Sequence, residues 1–144
     1  MYTYRYPHPA VTADCIVFAC QNEKTQVLLI KRGSEPCKDM WALPGGFMNI
    51  DESAEEAAIR ELKEETGIDV KEVTQVGAYS KVDRDPRERV ITIAFYTVID
   101  NPVKAVGQDD AKQAEWFTLD NLPTLAFDHS EILSAAIGML NKNK

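Results

Sequence analysis

The chain reads as one α/β domain: a mixed β-sheet packed between α-helices in an α/β/α sandwich. Three observations give that class. Apolar, β-branched runs outnumber the amphipathic helical stretches, and their order is not a regular strand–helix alternation. No repeat, low-complexity tract or linker divides the 144 residues. That length suits a single domain, 1–144, with its own core.

Residues 1–9 form an expected extended N-terminal arm of aromatics and prolines around Arg5 and His8. Val11–Cys20 is apolar enough for a strand buried on both faces, and Gln26–Arg32 for a second. The polar turn between them makes the pair a hairpin. A loop through Pro36 leads to the extended piece Trp41–Leu43, and Pro44-Gly45-Gly46 predicts a sharp turn at positive φ. A helix begins near Asp51–Ser53, with Ser53 and Glu56 spaced as a capping box and Asp51 as the alternative cap. It ends at Gly67. Val70–Ser80 and Arg89–Ile99 read as strands around the charged loop Lys81–Glu88. A short strand follows at Gln113–Thr118, then a turn at 120–123 and an amphipathic helix over Asp128–Leu140.

Composition narrows the function. A formal net charge of −7 argues against a general nucleic-acid binder, which needs a basic face. It leaves a nucleotide ligand open, because divalent cations reverse the sign of a site. No apolar run reaches the roughly 18 residues of a membrane span, and the start lacks signal-peptide character. Cys15, Cys20 and Cys37 form no metal-binding pair and read as free thiols of a reducing compartment, so a cytoplasmic location is expected.

The acidic helix carries the chemistry. At about 100° per residue with Glu61 at zero, Glu65 lies near +40° and Glu64 near −60°. Ala54, Ala57 and Ala58 occupy the same arc, so the three acids are expected to face the protein, while Glu55, Glu56 and Lys63 face water. On an exposed helix such like-charge pairs cost only about 0.2–0.5 kcal/mol. About 6 Å apart in a half-buried cleft, at an effective dielectric near 20, each costs about 3 kcal/mol. A hard divalent cation, Mg²⁺ or Mn²⁺, is the natural compensation. Arg60 can reach Glu56 or Glu64 by helical spacing. The favoured contact is Glu52, which leaves the inner acids free for metal.

Gly46, Glu52, Arg60, Glu61, Leu62, Glu64, Glu65, Gly67 and Ile68 resemble the signature of the Nudix hydrolases at every position. The resemblance implies a Nudix fold over essentially the whole chain and hydrolysis of a nucleoside diphosphate derivative by attack of water on phosphorus. It implies that Glu61 and Glu65 are the main metal ligands, that Glu64 is a further ligand or water-orienting acid, and that Gly45 offers a backbone carbonyl. Gly46, Glu52, Arg60 and Gly67 take structural roles. The phrases WALPGGF, YSKVDRDPRERVITIAFY and LPTLAFDHSEIL resemble the ADP-ribose pyrophosphatase-like branch, with Glu88 where that branch often has glycine.

The catalytic base in this family often lies outside the signature. Asp109, Asp110, Glu115 and Glu88 are candidates, and Asp110, in a polar loop before a strand, is selected. Arg32 at a strand end and Arg87 in the charged loop are candidate substrate cations. Phe127 and Asp128 fall where MutT-type members hold a purine, so Phe127 is either a base-stacking ring or a core residue. His129 is expected in the first turn of the last helix. The leading function is Mg²⁺-dependent cleavage of ADP-ribose or a related nucleotide sugar. A MutT-like hydrolase of oxidised nucleoside triphosphates is second, and a non-catalytic nucleotide sensor third. A nucleoside diphosphate-linked small molecule is the expected partner, with no nucleic acid or membrane, and the aromatic arm suggests a homodimer.

Overall fold

The computed structural model describes residues 3–108 and 111–143. β1 (Ala10–Gln21) and β2 (Lys24–Arg32) form the expected hairpin. Its two-residue loop, Asn22 and Glu23, has φ of 55° and 65°, the double positive φ that matches the twist of paired strands. β3 (Trp41–Ala42) and β4 (Gly45–Phe47) precede α1 (Ala54–Thr66). β5 (Thr74–Tyr79), β6 (Val90–Ile99), β7 (Ala111–Thr118) and α2 (His129–Lys142) complete the chain.

The strands form one mixed sheet in the order β3-β2-β1-β6-β5, with β4 on β1 and β7 on β2. β1 and β6 run parallel at its centre, in register from Ala10↔Val90 to Ala19↔Ile99. The other pairings are antiparallel. Side chains alternate faces along β1. Ala13, Cys15 and Val17 pack with Ala57, Ala58 and Leu62 of α1. Ile16 and Phe18 pack with Ile132, Leu133 and Ala136 of α2. Each helix thus covers one face, which is the expected sandwich.

Three expectations change. Pro44-Gly45-Gly46 is not a sharp turn: Gly45 and Gly46 lie in β4, paired to Asp14 and Ala13, and Gly67 has the positive φ instead. β5 is shorter than Val70–Ser80, because Val70 and Val73 leave the sheet to pack beside Ile68 under α1. β7 starts at Ala111 rather than Gln113, opposite Arg32, where the β2 register shifts.

The arm lies along residues 47–50, with Tyr4 and Tyr6 exposed. All three cysteines are free. Among the described residues, no helix is long and apolar enough to cross a membrane.

Candidate active site

β1, β4, α1 and the segment entering α2 surround a cavity of about 450 Å³. Its acidic wall comes from α1, whose start is fixed by Ser53 rather than Asp51. Ser53 Oγ accepts from the Glu56 N–H at 3.1 Å, and Glu56 Oε1 accepts from the Ser53 N–H at 2.9 Å. Gly67 closes the helix at φ 78°, its N–H donating to the Lys63 carbonyl.

Arg60 does meet Glu52: Nε donates to both carboxylate oxygens at 3.2 and 3.0 Å, and Nη2 to Oε1 at 2.6 Å. It does not leave the inner acids alone. Nη1 donates to Glu61 at 2.9 Å and to Glu64 at 3.1 Å, and Nη2 also reaches the Phe47 carbonyl. One guanidinium, with five donors in a planar fork, therefore ties the helix entry to the acidic wall. These carboxylates raise the Arg60 pKa further.

The acidic trio also divides. Glu65 is buried, and its Oε1 accepts from the Gly45 N–H at 2.7 Å. The Glu61 side chain is 15% exposed but that of Glu64 is 44% exposed, so Glu64 stands at the rim. The cause is the facing direction of α1. Buried Ala58, Leu62 and Glu65 centre its inner face near +60° on the helical wheel, about 120° from Glu64. Burial raises the Glu61 pKa, and Glu64 adds to that against the opposing effect of Arg60.

The glycines of β4 are needed for space rather than for φ. A Cβ on Gly45 would collide with Asp14 Oδ1, and one on Gly46 would lie 2.6 Å from the Glu61 carboxyl carbon. The strand backbone can therefore lie directly against the carboxylates.

The cavity lining also holds a cationic and aromatic group. Phe127, at φ 52°, carries the Arg32 guanidinium 5.1 Å from its ring centroid and that of Arg87 at 5.8 Å. Arg87 also lies 5.2 Å from the Phe47 ring and pairs with Asp85 at 2.7 Å. Arg32 donates from Nε to the Pro36 carbonyl at 2.8 Å. Arg32 and Arg87 thus join the cavity from distant segments, and Phe127 is a platform for both. Asp128 has a different place. Both its oxygens accept from Arg84, at 2.8 and 2.6 Å, and this pair braces the charged loop against the start of α2.

The floor contains groups that sequence pattern does not single out. Asp14 is buried, Thr92 Oγ1 donates to its Oδ2 at 2.7 Å, and His129 Nε2 lies 3.9 Å from the same oxygen. Burial raises the Asp14 pKa and lowers that of His129. A single carboxylate inside the apolar run VTADCIVFAC is the available signal for Asp14. Arg84 and Asp85 are marked only by the phrase YSKVDRDPRERV, since charges of both signs crowd the loop around them.

Asp109 and Asp110 lie outside the described residues. Glu88 and Glu115 are exposed and do not line the cavity. Among the described residues, no three His, Cys, Asp or Glu side chains already converge on a metal position. Arg60 holds Glu61 and Glu64, while the Gly45 N–H binds Glu65. The donor chemistry still fits a hard cation, because Glu61, Glu64 and Glu65 offer carboxylate oxygens.

The NUDIX domain profile matches residues 8–136. The chain belongs to the Nudix family. It is 50% identical over 129 residues to the ADP-ribose pyrophosphatase of Methanocaldococcus jannaschii, covering 89% of this chain and 73% of that protein. It is 36% identical to the ADPR responsive transcriptional repressor NtrR of Acinetobacter baylyi, over 94% of this chain but 56% of the repressor. Among solved structures, the MutT/nudix family protein from Enterococcus faecalis superposes with a TM-score of 0.91 at 33% identity, over 99% of this chain and 66% of that one. The NUDIX domain of Shewanella oneidensis NrtR complexed with ADP ribose gives 0.88 at 26% identity, over 94% and 90%. As a Nudix hydrolase, the chain acts on phosphoanhydride bonds.

Proposed function

We propose that this Nudix hydrolase cleaves the diphosphate of ADP-ribose or a closely related nucleoside diphosphate sugar, with Mg²⁺ or Mn²⁺ as cofactor. The observation that carries the reading is the polarity of the cavity. Glu61, Glu64 and Glu65 line it together with Arg32, Arg87 and the Phe127 ring that both arginines approach. A diphosphate needs cations beside the acids, while a flat base or an anionic phosphate suits the arginine–phenylalanine group. The 50% identity to an ADP-ribose pyrophosphatase supports the same substrate class.

Glu61, Glu64 and Glu65, with the Gly45 carbonyl, would hold the cation. When bound, it neutralises the diphosphate and lowers the pKa of the attacking water. Arg60 engages one oxygen of Glu61 and one of Glu64, so the second oxygen of each is the one offered to the cation, while the Arg60 bonds to Glu52 hold the helix entry in place. Arg87, steadied by Asp85, and Arg32, steadied by the Pro36 carbonyl, orient the phosphates. Asp110 is the proposed general base.

A substrate panel with Mg²⁺ and Mn²⁺ tests the reading. AMP plus a sugar phosphate from ADP-ribose is the expected outcome. A nucleoside monophosphate plus pyrophosphate would favour the MutT-like reading, which draws on 47% identity over 102 residues to a putative 8-oxo-dGTP diphosphatase of Bacillus subtilis. Tight ADP-ribose binding without turnover would favour the sensor.

A further inference from the structure

Three consecutive backbone residues connect α2 to the acids of α1. The Leu43 N–H donates to His129 Nδ1 at 3.0 Å. The Pro44 carbonyl accepts from the Cys15 N–H at 2.8 Å. The Gly45 N–H donates to Glu65 Oε1 at 2.7 Å. Leu43, Cys15, His129 and Glu65 are all buried; the Leu43–His129 bond is enclosed, while the Gly45–Glu65 bond is part-buried at the cavity.

The imidazole is held in one protonation pattern. Nδ1 accepts from Leu43, so the ring proton of the neutral form sits on Nε2, which faces Asp14 Oδ2 at 3.9 Å. Thr92 Oγ1 donates to that same oxygen. Asp14 also stands where a side chain on Gly45 would be. The imidazole and its neighbouring acid thus bear on the same few backbone atoms.

We propose that His129 is a positioning residue: by accepting the Leu43 N–H it sets the Leu43–Gly45 backbone, and through the Gly45 N–H it aims the Glu65 carboxylate into the cavity. His129 and Glu65 stand on different helices on opposite faces of the sheet, and this one backbone segment joins them.

Burial holds the His129 pKa below its ordinary value, consistent with the neutral acceptor that the hydrogen bond requires. Removing the acceptor leaves a buried N–H unsatisfied unless the strand moves. Losing an outer partner of a metal-binding group typically costs about 10–100-fold in metal affinity or activity.

The test uses the full chain and two substitutions. In H129N the amide oxygen can take the place of Nδ1, whereas in H129Q it reaches the place of Nε2. Titration with Mn²⁺ alone, followed by electron paramagnetic resonance, should give H129N an affinity within about threefold of wild type and H129Q a loss of about 10–100-fold. The kinetic arm rests on the proposed ADP-ribose hydrolysis: kcat should follow the same order, with KM nearly unchanged. Imidazole ¹⁵N shifts of the wild type should show an unprotonated Nδ1. Equal losses in both variants, no loss in H129Q, or a protonated Nδ1 would each overturn the proposal. If wild type does not hydrolyse ADP-ribose, the substrate reading fails while the Mn²⁺ titration and the ¹⁵N shifts still decide the role of His129.

Discussion

A methyl group at Gly46 would fall 2.6 Å from the Glu61 carboxyl carbon, so Gly46→Ala must displace that acid or push β4 off β1. The expected result is a fall in kcat of about 10–100-fold, with the helical circular dichroism of α1 retained. Glu65→Gln removes a charge and almost no volume from a buried position. If Glu65 holds the cation, the loss is several kcal/mol of transition-state stabilisation, so turnover should fall about 100-fold or more while the melting temperature stays near that of wild type. Wild-type activity in Glu65→Gln at saturating Mg²⁺ would remove Glu65 from the metal site.

α1 and the loop before β6 show how far local pattern reaches. The capping box, the Gly67 stop and the Glu52–Arg60 contact are legible in sequence because each depends on residues within about two helical turns of one another. Pattern alone turns Glu64 inward, because the wheel gives angles around α1 but not which angle meets the sheet. Phe127 and the arginines around it come from separate segments, and no spacing rule links Arg32, Arg87 and Phe127. The Arg84–Asp128 brace is illegible for the same reason, and it makes a prediction about acid. Burial pushes the Asp128 carboxyl up, but the hydrogen bonds and charge of Arg84 outweigh this and hold it below its usual value. Its stabilisation is therefore full above the unfolded pKa of about 3.9 and is lost as pH falls through the lower folded value. Asp128→Asn should cost about 3–5 kcal/mol at pH 7, because Arg84 is left buried without its counter-charge. In urea titrations the gap from wild type should narrow below about pH 4; a gap independent of pH would contradict the assignment.

The whole domain carries a net charge of −7, and part of that excess is gathered on one cavity wall. A cation bound there should stabilise the folded chain by mass action. At 100 times its Kd, Mn²⁺ should contribute about 2.7 kcal/mol and raise the melting temperature by roughly 5–10 °C. Scanning fluorimetry with and without chelator checks this, and no shift in wild type would remove the metal reading. The parallel pairing of β1 with β6 has a further consequence, for synthesis. Ala10 pairs with Val90, so the central strand can meet only β2 and β4 until the second half of the chain exists. At about 5–20 residues per second, that interval lasts roughly 4–16 s on the ribosome. Throughout it, the strand most deeply buried in the finished protein has one open edge, and the emerging chain depends on shielding of that edge to reach the fold that holds its candidate site.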